Sequence, residues 1–135
     1  MLNREQILAM PESEYMSPVQ LDYFKQMLQD RLCEARARIA DLQSQLRSVD
    51  VEPDITDQAT VEEERSRTLN AINRLQESVR KTMAALDLIA DGEYGYCQDT
   101  GVPVGLERLL IAPESILCTD AQSVQEHRQR FVRAA

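Results

Sequence analysis

The chain has 135 residues, with 23 acidic side chains against 15 Lys and Arg and a formal net charge of −8. That size allows one ordinary domain, and the six aromatic residues, with no Trp among them, leave little volume for a thick core. The charge repels a nucleic-acid backbone, whose binding needs clustered Lys and Arg to displace counterions, so any role near DNA or RNA is expected to pass through a protein partner.

Asn3 to Met10 reads as a short helix with Asn3 as N-cap and Pro11 ending it, or as a frayed terminus. Ser17-Pro18 is a firmer start signal, because Ser at the N-cap and Pro at the first helical position suit the unpaired donors of a helix start. From there Leu21, Leu28, Leu32, Ala35, Ile39, Leu42, Leu46 and Val49 recur, and after Leu28 the steps alternate between four and three. This is the seam of an antiparallel coiled coil. A returning arm carries Thr68, Ile72, Leu75, Val79, Thr82, Leu86 and Ile89 in the same rhythm, so each arm buries its stripe on the other. Val19 to Val49 would make an arm of about 45 Å. Cys33 within that arm is expected to be a small buried side chain.

Between Arg47 and Arg65 stand Asp50, Glu52, Asp54, Asp57, Glu62, Glu63 and Glu64 with no basic residue among them. Glu62 to Glu64 fall in the first turns of the second arm, where they complement the helix dipole. Asp54, Thr56 or Asp57 would each serve as its N-cap. The acids before that cap make a carboxylate-bearing tip, more charge than a solvated turn requires. Asp91-Gly92 closes the second arm, with Gly in the left-handed position that ends helices.

Glu93 to Cys97 alternates in the manner of a strand or knuckle. Cys97-Gln98-Asp99-Thr100 and Cys118-Thr119-Asp120-Ala121 are two half-motifs separated by a 17-residue spacer. A four-cysteine zinc site has that frame with a cysteine at the last position of each half as well. Two thiolates do not close a tetrahedral site, and Asp99, Asp120 or His127 are poor substitutes for the missing pair. A disulfide between Cys97 and Cys118 is the other chemical reading, disfavoured by three cysteines in a chain without secretory features. Two packed thiols in a small fold need the fewest assumptions. Val102, Val104, Leu106, Leu109, Leu110, Ile111, Ile116 and Leu117 then supply the core, punctuated by Gly101, Pro103, Gly105 and Pro113. A final helix opens at Thr119 or Asp120, with Val124, Arg128, Phe131 and Val132 at helical spacing, and is expected to rest against the base of the hairpin. Nothing resembles a signal peptide and no apolar run approaches the ~18 residues that span a bilayer, which makes the cytoplasm the expected compartment.

The expected fold class is therefore mostly α: a 1–16 N-terminal segment, a 17–91 coiled-coil hairpin with its acidic tip near 50–59, a small globular 92–118 domain on a degenerate zinc-finger frame, and a 119–135 C-terminal helix. Four features together resemble the DksA/TraR regulators of bacterial RNA polymerase from about Glu14 to the C-terminus: Glu14-Tyr15-Met16, the Asp54-x-x-Asp57-x-Ala59 tip, Glu62-Glu63-Glu64, and Gly95-Tyr96-Cys97. The resemblance implies a monomer that performs no chemistry. Its tip residues Asp54, Asp57 and Ala59 would enter the polymerase secondary channel near the catalytic magnesium. The implied effects are repression of rRNA promoters and activation of amino-acid promoters, together with the alarmone ppGpp.

The family's zinc ligands correspond to Cys97, Thr100, Cys118 and Ala121, which looks like a zinc-independent branch with a shortened N-terminal segment; no metal is expected. Among basic positions that line the family's alarmone site, Lys81 is kept, whereas Ala112 and Gln122 are not basic. Arg74 and Arg108 remain as candidates for polymerase or ppGpp contact. Two other readings compete: a coiled-coil adaptor or holdase whose acidic tip is merely solvated, and a stimulator of transcript cleavage of the Gre type, whose tip carboxylates would help hold magnesium. The sequence offers no nucleophile with a neighbouring base, so an enzyme is not expected.

Overall fold

The computed structural model describes residues 2–49 and 58–134. Five α-helices appear among them: α1 Arg4–Ala9, α2 Pro18–Val49, α3 Gln58–Asp91, α4 Leu106–Ile111 and α5 Thr119–Ala134. The protein divides into two compact units, one made of Met1–Gln29 with Ala84–Ala135, the other of Asp30–Met83.

In the second unit α2 and α3 pack as an antiparallel hairpin along the expected seam. Leu42, Ile72 and Thr82 are buried. Leu32, Ala35, Ile39, Leu46, Thr68, Leu75 and Val79 are half-buried, because two helices shield a seam from one side only. The two threonines on this seam carry hydroxyls that an apolar interface penalises unless they are bonded. Each solves this within its own helix: Thr82 donates to the Ser78 carbonyl at 2.8 Å and Thr68 to the Glu64 carbonyl at 2.9 Å. The outer face is laced by exposed pairs such as Arg80 with Glu77 and Arg67 with Glu63. At that exposure each contributes little. Cys33 is exposed rather than buried, since it sits one position past the seam residue Leu32 and turns away from it. α3 starts at Gln58, so Glu62 to Glu64 lie in its second turn, beyond the first turn where the dipole acts most strongly.

The first unit holds the main core: Ile7, Phe24, Leu28, Ala85, Tyr94, Leu109 and Leu110, with Leu21, Leu86, Ile89, Val104 and Leu106 packed around them. α1 forms as a capped helix and not a frayed end, because Asn3 accepts from the Gln6 amide at 2.8 Å while the Gln6 side chain accepts from the Asn3 amide at 2.9 Å. Ile7 is its one buried residue and α1 packs on α4. α2 begins at Pro18 as expected, yet its cap works differently. The Ser17 hydroxyl is buried without a hydrogen-bond partner, and the buried Gln20 side chain reaches back to the Met16 amide instead, at 2.9 Å.

α3 ends where Asp91-Gly92 places it. Gly92 has φ 77°, its amide bonds the Ile89 carbonyl and the Glu93 amide bonds the Leu88 carbonyl, the paired bonds of a Schellman stop. The segment beyond is a knuckle and not a strand: a single antiparallel bridge joins Tyr96 to Pro103. α4 condenses part of the expected turn-rich stretch into helix, and the core is narrower than the apolar count suggests. Leu109, Leu110 and Leu117 are buried, whereas Val102, Ile111 and Ile116 are exposed. A six-residue helix has one inward face, and Ile111 falls off it. α5 forms from Thr119 and buries Ala121 in its first turn, but Val124, Phe131 and Val132 farther along are exposed at 52%, 72% and 73%.

Candidate functional site

The four positions of the degenerate frame come together in the first unit. Cys97 starts a tight knuckle in which the Gly101 amide bonds the Cys97 carbonyl at 2.8 Å and the Cys97 amide bonds the Val102 carbonyl at 2.7 Å. Gly101, at φ 78°, supplies the left-handed residue that turn requires. The second half-motif is tied alongside by the Gln98 amide bonding the Ile116 carbonyl at 2.9 Å, and Cys118 then leads into α5 with its carbonyl accepting from the Gln122 amide.

Cys97, Leu117 and Ala121 form a small buried cluster with Cys118 packed on it. The Thr100 hydroxyl lies 3.8 Å from the Cys118 sulfur. Burial pushes the Cys97 thiol up, but the Thr100 hydroxyl and the backbone amides of Cys118, Thr100 and Asp99 all favour its charged form and bring it down to about 6. The donor set does not match a zinc site. Two sulfurs, one hydroxyl and a methyl group cannot complete the four-coordinate shell of a structural zinc, and no group of three His, Cys, Asp or Glu side chains among the described residues could hold a metal ion. Asp99, Asp120 and His127 do not make up the deficit.

A second constellation emerges that spacing alone did not reveal. The Tyr15 hydroxyl donates to the Gly95 carbonyl and accepts from the Gly105 amide at 3.0 Å, and its ring meets Tyr96 edge-on at 5.7 Å. Burial pushes the Tyr15 phenol up. Met16, at φ 56°, lays its side chain over Gly95, where a Cβ would lie 2.5 Å from the Met16 sulfur. The motifs Glu14-Tyr15-Met16 and Gly95-Tyr96-Cys97, separated by some 80 residues, are thus two halves of one contact. Tyr94 completes it from the inside, donating its hydroxyl to the Pro113 carbonyl at 2.7 Å and tilting its ring against Phe24.

The basic candidates are placed as follows. Arg74 and Lys81 are exposed seven residues apart on one face of α3, with Glu77 between them. Arg108, on α4, is half-buried and spends its Nε on the Leu117 carbonyl at 3.2 Å, which ties α4 to the second half-motif. Ala112 ends α4 and Gln122 lies in α5, bonded to Glu126. Ala59 is exposed in the first turn of α3. Asp54 and Asp57 lie outside the described residues. No helix among those described is long and apolar enough to cross a membrane.

Comparison with known proteins agrees with this anatomy. Residues 20–89 match the family "DnaK suppressor protein DksA, N-terminal domain", and residues 92–127 match "Prokaryotic dksA/traR C4-type zinc finger". The chain is 34% identical over 126 residues to a Caulobacter vibrioides protein named RNA polymerase-binding transcription factor DksA, covering 90% of this chain and 87% of that one. An Escherichia coli protein of the same name is 30% identical over 121 residues, covering 89% and 80%. The solved structure of transcription factor DksA2 from Pseudomonas aeruginosa superposes with a TM-score of 0.85 at 38% identity, covering 95% of this chain and 99% of that one. With a matching seam, a matching cysteine frame and relatives aligned over nearly the whole length, this chain belongs to the DksA/TraR family.

Proposed function

We propose that this protein regulates transcription by binding RNA polymerase directly, acting as a monomer in the cytoplasm and performing no chemistry itself. The observation that carries the reading is the near full-length similarity to proteins named as RNA polymerase-binding transcription factors, joined to a helical hairpin with acidic residues between its arms. The tip bearing Asp54, Asp57 and Ala59 enters the polymerase secondary channel and changes initiation there, lowering rRNA promoter output and raising that of amino-acid promoters. Helices of 32 and 34 residues, about 48 and 51 Å at ~1.5 Å per residue, supply the reach. The acidic balance of the chain supports contact with polymerase over contact with DNA.

ppGpp acts with the protein at the polymerase interface, with Lys81 as the residue offered to it, while Arg74 and Arg108 are each offered to polymerase. Because Arg108 already bonds the Leu117 carbonyl, its guanidinium would face the partner with its remaining donors. The fold holds without zinc: Cys97, Leu117 and Ala121 pack as a small buried cluster, and the Thr100 hydroxyl lies against the Cys118 sulfur.

The decisive experiment replaces Asp54→Asn and Asp57→Asn together. Multi-round transcription from an rRNA promoter should lose its response to the protein, while competition binding to polymerase changes little. An unchanged promoter response from a variant that still binds would sink the tip mechanism and favour the adaptor reading. Release of short 3′ RNA from a backtracked complex would instead favour cleavage stimulation. Zinc is tested separately: the purified protein should carry no stoichiometric zinc, and chelator should leave its thermal transition in place.

A further inference from the structure

The cysteine frame that fails for zinc suits a different class of ion. Its two sulfurs belong to one small cluster: Cys97 is buried with Leu117 and Ala121, Cys118 packs on it, and the Thr100 hydroxyl lies 3.8 Å from the Cys118 sulfur. No carboxylate or imidazole belongs to the cluster, and Leu117 and Ala121 give it a dry apolar wall. Hard cations want several oxygen ligands, and zinc wants four donors. A soft cation prefers thiolate, and a monovalent d10 ion is satisfied by two sulfurs in line.

We propose that Cys97 and Cys118 form a two-sulfur binding site for a soft monovalent cation, Cu(I), with the Thr100 hydroxyl turning aside as the ion enters. Binding replaces two S–H protons by one cation, so the complex carries a net negative charge on its sulfurs. The backbone amides of Cys118, Thr100 and Asp99, which favour the charged form of the Cys97 sulfur, take up that charge. Entry is from the Cys118 side, because Cys97 is buried while Cys118 is only partly covered. No change of oxidation state is involved.

The test uses the full chain carrying Cys33→Ser, which removes the exposed thiol of the second unit. The protein is loaded with Cu(I) without oxygen and challenged with bathocuproine disulfonate as a colorimetric competitor. One copper per chain should be retained, X-ray absorption should count two sulfur neighbours, and Cys97→Ser or Cys118→Ser should each release the metal. Thr100→Ala should keep it. Copper surrendered as fully as by a chain lacking both thiols, copper kept when both are gone, or a shell of nitrogen and oxygen would each overturn the proposal. Circular dichroism separates an unfolded Ser variant from a folded one that has lost its ligand. The sulfur count on the unsubstituted pair does not depend on the variants at all. Failure here also leaves the polymerase reading untouched, since that is read from promoter output in metal-free buffer.

Discussion

The hairpin and the cysteine knuckle reach order by opposite means. In the hairpin, apolar side chains at a regular spacing meet their counterparts along one line, and the polar exceptions, Thr68 and Thr82, are satisfied inside their own helices. In the knuckle, regular spacing is absent and a handful of bonds between distant residues decide everything: Tyr15 to Gly95 and Gly105, Tyr94 to Pro113, Thr100 to Cys118. The difference teaches where each region is vulnerable. A seam distributes its stability over many weakly buried residues, whereas the knuckle concentrates it in a few that cannot be exchanged.

That contrast breaks most sharply at the core that anchors the knuckle. Phe24 is fully buried against Tyr94, and Phe24→Ala should cost about 3–5 kcal/mol in urea unfolding. Leu42→Ala on the seam, where Leu42 keeps 5% exposure, should cost less, roughly 2–3 kcal/mol, because an open two-helix interface relaxes around the gap. A larger loss at Leu42 than at Phe24 would reverse the comparison. Gly95→Ala should cost about 2–4 kcal/mol, combining ~1–2 for a left-handed non-glycine residue with the overpacking of a Cβ against the Met16 side chain. Met16→Ala in the same background should restore part of it.

Smaller effects sharpen the picture. Tyr15→Phe removes a hydroxyl that serves one carbonyl and one amide, and should destabilise by about 1–3 kcal/mol. Amide exchange should then accelerate at Gly105 and leave the seam protected. The knuckle also predicts a pH dependence. The Cys97 thiol is lowered in the folded state to about 6, so its contribution is complete above the unfolded thiol value near ~8.5 and is lost as pH falls through about 6. The melting temperature should accordingly rise from pH 6 to pH 9 in the native protein and rise less in Cys97→Ser. A parallel profile in both would show that the amide cradle does not hold a thiolate.

The seam and its start and stop signals were legible because each depends on neighbours in the chain. Leu28 through Leu46 and Ile72 through Thr82 lie where their spacing puts them, Pro18 opens α2, and Gly92 closes α3. The cysteine frame was legible as well, down to the two missing thiols. Side-chain burial was less so. Cys33 shares a helix with seam residues yet faces solvent, and Val124, Phe131 and Val132 form an apolar face that finds no cover within the described residues. Ser17 occupies the cap position, yet its buried hydroxyl has no partner, while the Gln20 side chain accepts from the amide of Met16 just ahead of the helix.

Sequence alone determined the element order, the hairpin and the family, since helical periodicity, caps and motif spacing are local properties of a chain. Only tertiary structure decided that Tyr15 and Met16 close over Gly95, that Thr100 stands against the Cys118 sulfur, and that Arg108 is tied to Leu117. Those contacts join residues from 9 to 80 positions apart in no repeating pattern. Packing, which balances burial against hydrogen bonds that must be satisfied wherever the fold brings donors and acceptors together, is what selects them.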